Sequence, residues 1–388
     1  TEELERAAEV LARYLAVQEF VRGSKEFGSA RQASEKRAAS IGLENLARTA
    51  GYADPVRLEW AMERAALGEL ARGSVRATAG EVDVELSIDA DGDAVLVATK
   101  KGKVLKSLPP AAKKDAAVKP LVDQAGALAK QKQRMRASLE SAMIRGDVFT
   151  GAELAELFEH PVLAPMLARL VLCGGGKCGV PVQSGRVLRG PDGAETPLDS
   201  TTRLRIAHPV DLLASGAWPA WQRDALRREV VQPFKQLFRE LYVLTDAERE
   251  ERVRSRRYAG HQVRPRQAMA LLGTRGWVWN AEEGARRVDH ASGLAASIEF
   301  LHAPFTPAEV EGLTIETIVF TRRGEQVPLP LESIPPRLLS EVLRDVDLVV
   351  SVANRSGVDP EASASSIEAR AALVRETCAL LGLPNVAI

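Results

Sequence analysis

Residues 46–70 constrain the fold more than any other part of the chain, because their pattern predicts two helices joined by a tight corner. The first helix ends at Gly51, where a left-handed cap costs little only for glycine. Asp54 and Pro55 then supply a capping oxygen and a first helical residue whose missing N–H costs nothing. The second helix is apolar over a wide stripe that includes Trp60, so we expect it to lie in a buried centre.

The remaining patterns predict an α+β fold, with a predominantly helical N-terminal half that carries small antiparallel β-hairpins and a mixed α/β C-terminal part. Apolar and polar residues alternate over 82–88, and Asp91-Gly92 supplies the turn of a hairpin. Thr150 and Glu153 have the spacing of a capping box and predict the start of another helix. Near the end, the pattern predicts a helix over 336–346, a strand over 347–353 and a helix over 366–381.

Changes in pattern and composition predict three regions. Residues 1–120 form a helical region with a small hairpin sheet, and residues 121–272 form a second helical region with an inserted hairpin over 180–207. Residues 273–388 form a mixed α/β region. Because the chain starts inside a helical pattern and stops in a strand-like one, we expect it to be a truncated piece of a larger polypeptide.

Composition limits the classes of partner. Lysine plus arginine equals aspartate plus glutamate at 52 each, so any affinity for nucleic acid must come from a local patch. Three cysteines, an odd number, argue against a disulfide framework and favour a reducing cytoplasm. No apolar run approaches the roughly 20 residues that span a bilayer, which predicts no membrane contact. We therefore expect a cytoplasmic protein.

The run Cys173-Gly-Gly-Gly-Lys-Cys178 shares glycines and a lysine with phosphate-binding loops. Such a loop needs a strand before it and a helix after it, whereas here the pattern predicts the reverse order. A zinc site would need two more soft ligands, and only Cys378 and five scattered histidines remain. We interpret the run as a flexible helix-to-strand turn and predict no metal site. The sequence identifies no cofactor.

Residues 249–266, hereafter the arginine segment, carry seven arginines and two glutamates and therefore a local charge of +5. Arginine forks bind phosphate, and an aromatic ring among them can stack on a base. The alternative is a solvated helix over 245–257 whose arginines pair with its own acidic residues. The residues that the first interpretation assigns to nucleic-acid or anion binding are Arg252, Arg254, Arg256, Arg257, Tyr258, His261, Arg264 and Arg266.

Three blocks of sequence carry a resemblance. They are LARTAGYADPVRLEWAMER, GKVLKSLP with its following lysines, and the run from His160 through YAGHQV and RGW. Together they resemble the bacterial family of uncharacterised domains in proteins similar to the molybdate metabolism regulator, MolR. In such proteins this region often lies downstream of a WGR domain, a small nucleic-acid-associated module. The resemblance implies a regulatory context but no reaction, and the chain contains no WGR tripeptide.

These observations favour a non-catalytic regulatory or assembly module of a large multidomain bacterial protein that contacts nucleic acid or another anionic partner through the arginine segment. No Gly-x-Ser-x-Gly nucleophile elbow occurs. His160 and His208 each precede a proline at a predicted helix start, and we interpret both as caps. The alternative is an enzyme of unassigned chemistry with a polar site around Tyr258 and His261.

Overall fold

The computed structural model describes residues 2–280, 284–301, 310–354 and 375. The chain divides into two compact units. Unit 1 comprises Thr1–Met143, Asp147–Ile206 and Val230–Phe234, and unit 2 comprises Ile144–Gly146, Ala207–Glu229 and Lys235–Ile388. The predicted α+β fold is confirmed, since helices dominate the N-terminal part and antiparallel sheets follow. The division into three regions stays a prediction.

Helices form the first part of unit 1 because apolar residues recur there at helical spacing. The first three helices pack around a buried cluster that includes Tyr14, Leu43 and Leu58. The helices of unit 1 are α1 (Glu2–Gly23), α2 (Ser29–Ala50), α3 (Pro55–Ala66), α4 (Pro110–Lys114), α5 (Lys119–Arg145), α6 (Gly151–Leu157) and α7 (Ala164–Leu167).

The predicted corner between α2 and α3 is confirmed in detail. Gly51 follows α2 with a φ of 84°, in the left-handed region. The side chain of Asp54 accepts a hydrogen bond from the backbone N–H of Arg57 at 2.9 Å, which caps α3. Trp60 is only 3% exposed, so α3 lies in a buried centre as expected.

Two antiparallel sheets complete unit 1. The first has the order β1-β2-β3-β4, and the predicted hairpin is its β2–β3 pair, with Leu86 opposite Leu96. The second has the order β5-β10-β6-β7-β8-β9. The strands are β1 (Val75–Ala79), β2 (Val82–Ile88), β3 (Ala94–Lys100), β4 (Lys103–Val104), β5 (Val148–Thr150), β6 (Leu172–Gly174), β7 (Lys177–Val182), β8 (Val187–Arg189), β9 (Glu195–Pro197) and β10 (Arg203–Ile206).

The run from Cys173 to Cys178 differs from its prediction. It is the turn of the β6–β7 hairpin, with Cys173 directly opposite Cys178, and the two cysteines form a disulfide. The expectation of a helix-to-strand turn is wrong because a strand, not a helix, precedes the glycines. The disulfide also contradicts the argument from an odd cysteine count, so the cytoplasmic location loses one of its premises and stays a prediction.

Unit 2 is built on a six-stranded antiparallel sheet with the order β11-β16-β15-β14-β13, in which β12 also pairs with β16. Its core includes Phe320 from the sheet and Val342 and Val346 from the last helix. The strands are β11 (Arg254–Ser255), β12 (Gln262–Val263), β13 (Trp277–Asn280), β14 (Gly284–Asp289), β15 (Leu294–Leu301) and β16 (Leu313–Arg322). The helices are α8 (Pro209–Ala214), α9 (Trp218–Arg227), α10 (Asp246–Glu251), α11 (Pro265–Gly273) and α12 (Pro336–Val352).

The predicted strand over 347–353 is wrong, because α12 continues through Val352. Its valines suit a strand by composition. However, Val342, Val346 and Val349 recur at helical spacing and are all buried, so packing of one helical face decides the conformation. The helix predicted over 366–381 lies outside the described residues, apart from the single position 375.

Candidate functional site

The arginine segment lies along one edge of the unit 2 sheet. Helix α10 begins at the Thr245 capping box and ends at Glu251, so the helix predicted over 245–257 stops earlier than expected. Beyond it, β11 places Arg254 opposite Val319, and β12 places Gln262 opposite Thr314. The segment between these strands therefore runs beside β16, over a length of about 20 Å at the usual rise of a strand.

Three of the seven arginines pair with acids of the same region. Arg257 donates from Nη2 to Glu248 at 2.5 Å and to the carbonyl of Val243 at 2.7 Å, and its side chain is 8% exposed. Arg249 pairs with Asp246 at 3.0 Å, and Arg256 lies 3.5 Å from Glu251. Arg257 is therefore a structural residue inside the fold. For these three arginines, the structure has the pairing with nearby acidic residues that the alternative interpretation proposes.

Tyr258 and His261 are buried, with exposures of 1% and 3%. Their ring centroids lie 6.3 Å apart in an edge-on arrangement, and Tyr258 belongs to the core of unit 2. Neither ring faces solvent, so neither is placed to stack on a base at the surface. The structure therefore separates these two side chains from the exposed arginines of the same segment.

Four predicted binding residues remain exposed at the surface. Among the described residues, no carboxylate oxygen lies within ion-pair distance of Arg252, Arg254, Arg264 or Arg266. Arg254 does act over a longer range: burial raises the pKa of the Glu299 carboxyl, and the positive charge of Arg254 opposes this rise. Arg252 adopts a φ of 66°, which turns the chain from α10 towards β11.

The start of α11 adds backbone donors to this edge. Arg264 is its N-cap residue and makes no side-chain capping bond, Pro265 is its first residue, and the first turn contains no acidic residue. The backbone N–H groups of Arg266 and Gln267 have no intrahelical partner at such a position. The positive end of the helix dipole and two guanidinium groups therefore coincide, which favours a bound anion.

Unit 1 contains a pocket of about 280 Å³ beside the corner between α2 and α3. Tyr52 lies at the corner, Trp60 comes from α3 and Glu156 from α6, and His160 follows α6. The sequence pattern indicated Trp60 as core and His160 as a cap, and gave no signal that the two share a pocket. The lining residues are Gly51, Tyr52, Ala53, Arg57, Trp60, Ala61, Arg64, Glu153, Glu156, Leu157 and His160.

The two histidines interpreted as caps both accept a backbone hydrogen bond. His208 accepts from Val210 N–H at 3.2 Å and caps α8, as predicted. His160 accepts from Val162 N–H at 3.2 Å and closes a turn before α7. In the part of the chain that the structure describes, no group of three His, Cys, Asp or Glu side chains is arranged to hold a metal ion.

Most of unit 1 and the start of unit 2 are similar to protein families of unknown function. Residues 102–277 match the model of a domain of unknown function, DUF4132, and residues 2–62 match that of a family of unknown function, DUF5724. The chain is similar to two uncharacterised families. No curated protein and no solved structure matches it. No helix in the described ranges combines the length and the apolar character needed to cross a bilayer.

Proposed function

We propose that this chain is a non-catalytic module that contacts the phosphates of a nucleic acid through the exposed arginines of its arginine segment. The observation that carries this proposal is the exposure of Arg252, Arg254, Arg264 and Arg266 without an ion-pair partner among the described residues. An arginine that is not neutralised by its own protein releases counterions from nucleic acid when it binds a phosphate. The resemblance to MolR-like proteins supports a regulatory context for such a contact.

The buried aromatic residues define the kind of contact. Because Tyr258 and His261 lie in the interior, the surface offers guanidinium groups and the backbone donors at the start of α11, and no ring from this segment. Contacts of this type position a protein on phosphates and carry little sequence information. We therefore expect binding that depends strongly on salt and weakly on base sequence.

The test measures binding of the full chain to a labelled single-stranded RNA and to a labelled DNA duplex by fluorescence anisotropy, between about 50 and 200 mM salt. The informative variant is Arg264→Glu with Arg266→Glu. Acidic residues are favourable at a helix start, so this change preserves α11 while it reverses the charge of the site. We expect the slope of log K against log salt to fall by about two, and low-salt affinity to fall roughly tenfold or more.

The matched control reverses two exposed arginines of unit 1, Arg37 and Arg72, to glutamate. It changes the net charge of the chain by the same amount and leaves the arginine segment intact. Arg254→Gln provides a smaller step, for which the salt slope should fall by about one. If the control weakens binding as much as the variant at Arg264 and Arg266 does, or if the chain binds neither nucleic acid, the proposal is wrong.

A further inference from the structure

Arg57, one of two arginines in the wall of the unit 1 pocket, forms several bonds within the protein. Arg57 donates from Nε to Glu153 at 3.0 Å, and its other nitrogens bind Asp54 and the backbone carbonyl of Val148. Its guanidinium carbon also lies 4.6 Å from the ring centroid of Phe149. Arg57 therefore links α3, β5 and the start of α6.

His160 differs, because one of its ring nitrogens has no hydrogen-bond partner in the part of the chain that the structure describes. Burial lowers the pKa of His160 to about 4, and the nearby charge of Arg64 adds to this effect, so the ring is neutral at pH 7. Its Nδ1 accepts a hydrogen bond from Val162 N–H, so the single ring proton resides on Nε2. Among the described residues, no acceptor receives this Nε2–H group, although the side chain is only 1% exposed.

An unsatisfied buried donor is unfavourable by about 1–3 kcal/mol, and an acceptor brought by a ligand would recover that free energy. His160, which carries the unsatisfied Nε2–H donor, is also one of the residues that line the pocket. The Nε2 atom is covered by protein, so a ligand oxygen reaches it only as the wall side chains adjust. The Nε2–H group of His160 can therefore donate a hydrogen bond to a ligand that carries an acceptor.

The charge and volume of the pocket restrict the ligand further. Arg57 pairs with Glu153 and Asp54, and Arg64 pairs with Glu159, so each guanidinium group in the wall already has a carboxylate partner. An anionic ligand would therefore compete with these carboxylates, which favours an uncharged one. An apolar cavity of about 150 Å³ is enough to hold benzene, so the larger pocket of about 280 Å³ admits a substituted aromatic ring. Trp60, together with Ala61 and Leu157, supplies apolar surface for it.

We propose that this pocket binds a small uncharged aromatic carbonyl compound. Its carbonyl oxygen accepts the hydrogen bond from Nε2 of His160, and its ring packs against Trp60 and Leu157. This site lies in unit 1 and is independent of the arginine segment in unit 2. A nucleic-acid contact in unit 2 and a small-molecule site in unit 1 can therefore be tested separately.

The test uses benzamide as the probe, with benzoate and benzylamine as anionic and cationic molecules of the same shape. Binding to the full chain at pH 7 is measured by ligand-observed NMR titration. A ligand of this size is expected to bind with a dissociation constant of about 1 mM. Benzamide should bind at least several-fold more tightly than either charged analogue, because a charged ligand loses hydration in the pocket while the arginines of the wall keep their own carboxylate partners.

Two variants address the site itself. His160→Asn keeps an acceptor for Val162 N–H but removes the Nε2 donor, and it should weaken benzamide binding about fivefold, the value of one hydrogen bond. Ala53→Trp fills the pocket from its exposed rim and should abolish binding. Its control, Ala65→Trp, places the same side chain on an exposed position of α3 outside the pocket and should leave binding unchanged.

The outcomes separate the proposal from its alternatives. Weaker binding by both pocket variants, with normal binding by Ala65→Trp, supports it. Failure of benzamide to bind at about 10 mM, tenfold above the expected constant, overturns it. Equal binding by wild type and His160→Asn overturns the assigned role of His160, and tighter binding of benzoate overturns the assignment of an uncharged ligand.

Discussion

Arg239 binds Glu341 through two hydrogen bonds in the interior of unit 2, from Nε to Oε1 at 2.7 Å and from Nη2 to Oε2 at 2.6 Å. Both residues are only 1% exposed. His208 adds a third bond, from Nε2 to Oε1 at 3.0 Å, because its Nδ1 accepts from Val210. Burial alone raises the pKa of Glu341, but the bonds from Arg239 and His208 outweigh it and hold this pKa below its usual range.

The first prediction concerns this buried pair. Arg239→Met should lower the free energy of unfolding by about 3–5 kcal/mol, because it leaves the Glu341 charge buried without its main partner. Glu341→Gln should also lower the free energy of unfolding, since it leaves the positive charge of Arg239 buried without its carboxylate partner. The double variant removes both charges and keeps an acceptor for His208, so its loss should be smaller than the sum of the single losses by roughly 2 kcal/mol or more.

Urea unfolding, followed by circular dichroism and tryptophan fluorescence, measures these free energies if the two probes give coincident transitions. The double-variant cycle then isolates the interaction between the two side chains. Strictly additive losses would show that Arg239 and Glu341 do not stabilise one another, and that their proximity is incidental to the stability of unit 2.

The second prediction concerns the dependence of stability on pH. The pKa of His160 is about 4 in the folded chain, against about 6.5 for an unperturbed histidine. The unfolded state therefore binds more protons than the folded state between these values, and stability falls as the pH falls through this window. The shift corresponds to about 3 kcal/mol lost between pH 7 and pH 4 on account of His160.

His160→Asn removes this titration while retaining the contact with Val162. Wild type should therefore lose about 2–3 kcal/mol more than the variant between pH 7 and pH 4, measured by urea unfolding at both values. The comparison cancels the contribution of His208, whose pKa is also lowered by burial. Parallel pH profiles for the two proteins would contradict the assignment of a neutral His160 in the fold.

The corner around α3 could be predicted from the sequence because its signals are local. A glycine cap, an Asp-Pro start and an apolar stripe all occur within about 20 residues, and each acts through its own neighbours. The arrangement of the arginine segment could not be predicted in this way. Arg254 is exposed and Ser255 buried because of their register with Ile318 and Val319, which follow more than 60 positions later.

The wrong prediction of a strand over 347–353 and the failure to predict the pocket have the same physical origin. Valine-rich residues near 350 suit a strand by propensity, but packing of one face on a distant core makes them helical. The pocket is likewise formed by Tyr52 and Trp60 together with His160, about 100 positions away, and no spacing in the sequence reports such a contact. Tertiary packing determines which arginines are exposed and that Tyr258 is buried. The net charge of the segment, which was counted from the sequence, gives no information about this packing.

The third prediction concerns the β2–β3 turn. Gly92 has a φ of 76°, and a Cβ atom there would lie 2.9 Å from the carbonyl oxygen of Val162. The turn is held in place, since Lys132 pairs with Asp93 at 2.6 Å and donates to the carbonyl of Asp91 at 2.9 Å. Gly92→Ala should therefore lower the free energy of unfolding by about 2–3 kcal/mol, from backbone strain together with the close contact.

Gly102 provides the control for this change. Its φ is 75°, nearly the same as at Gly92, but a Cβ atom there would meet nothing within 4 Å. Gly102→Ala should therefore show the strain alone, about 1 kcal/mol, in the same urea measurement. Equal losses for the two variants would mean that the turn moves away from Val162 without cost and that the close approach does not contribute.

The fourth prediction concerns Glu59 on α3. Burial raises its pKa to about 6, and the charge of Glu63 adds to the rise while Arg134 opposes it. A folded pKa above the unfolded value means that this carboxyl group favours folding below pH 4.5, and that the benefit is lost as the pH rises through 6. At pH 8 the ionised Glu59 therefore destabilises unit 1.

Glu59→Gln should raise the free energy of unfolding by about 1–2 kcal/mol at pH 8 and by much less at pH 4. The exposed Glu44→Gln on α2 serves as the control and should change stability by only a few tenths of a kcal/mol at either pH. A gain that is the same at pH 4 and pH 8 would attribute the effect to packing of the amide, because a charge effect must vanish once the carboxyl group is protonated.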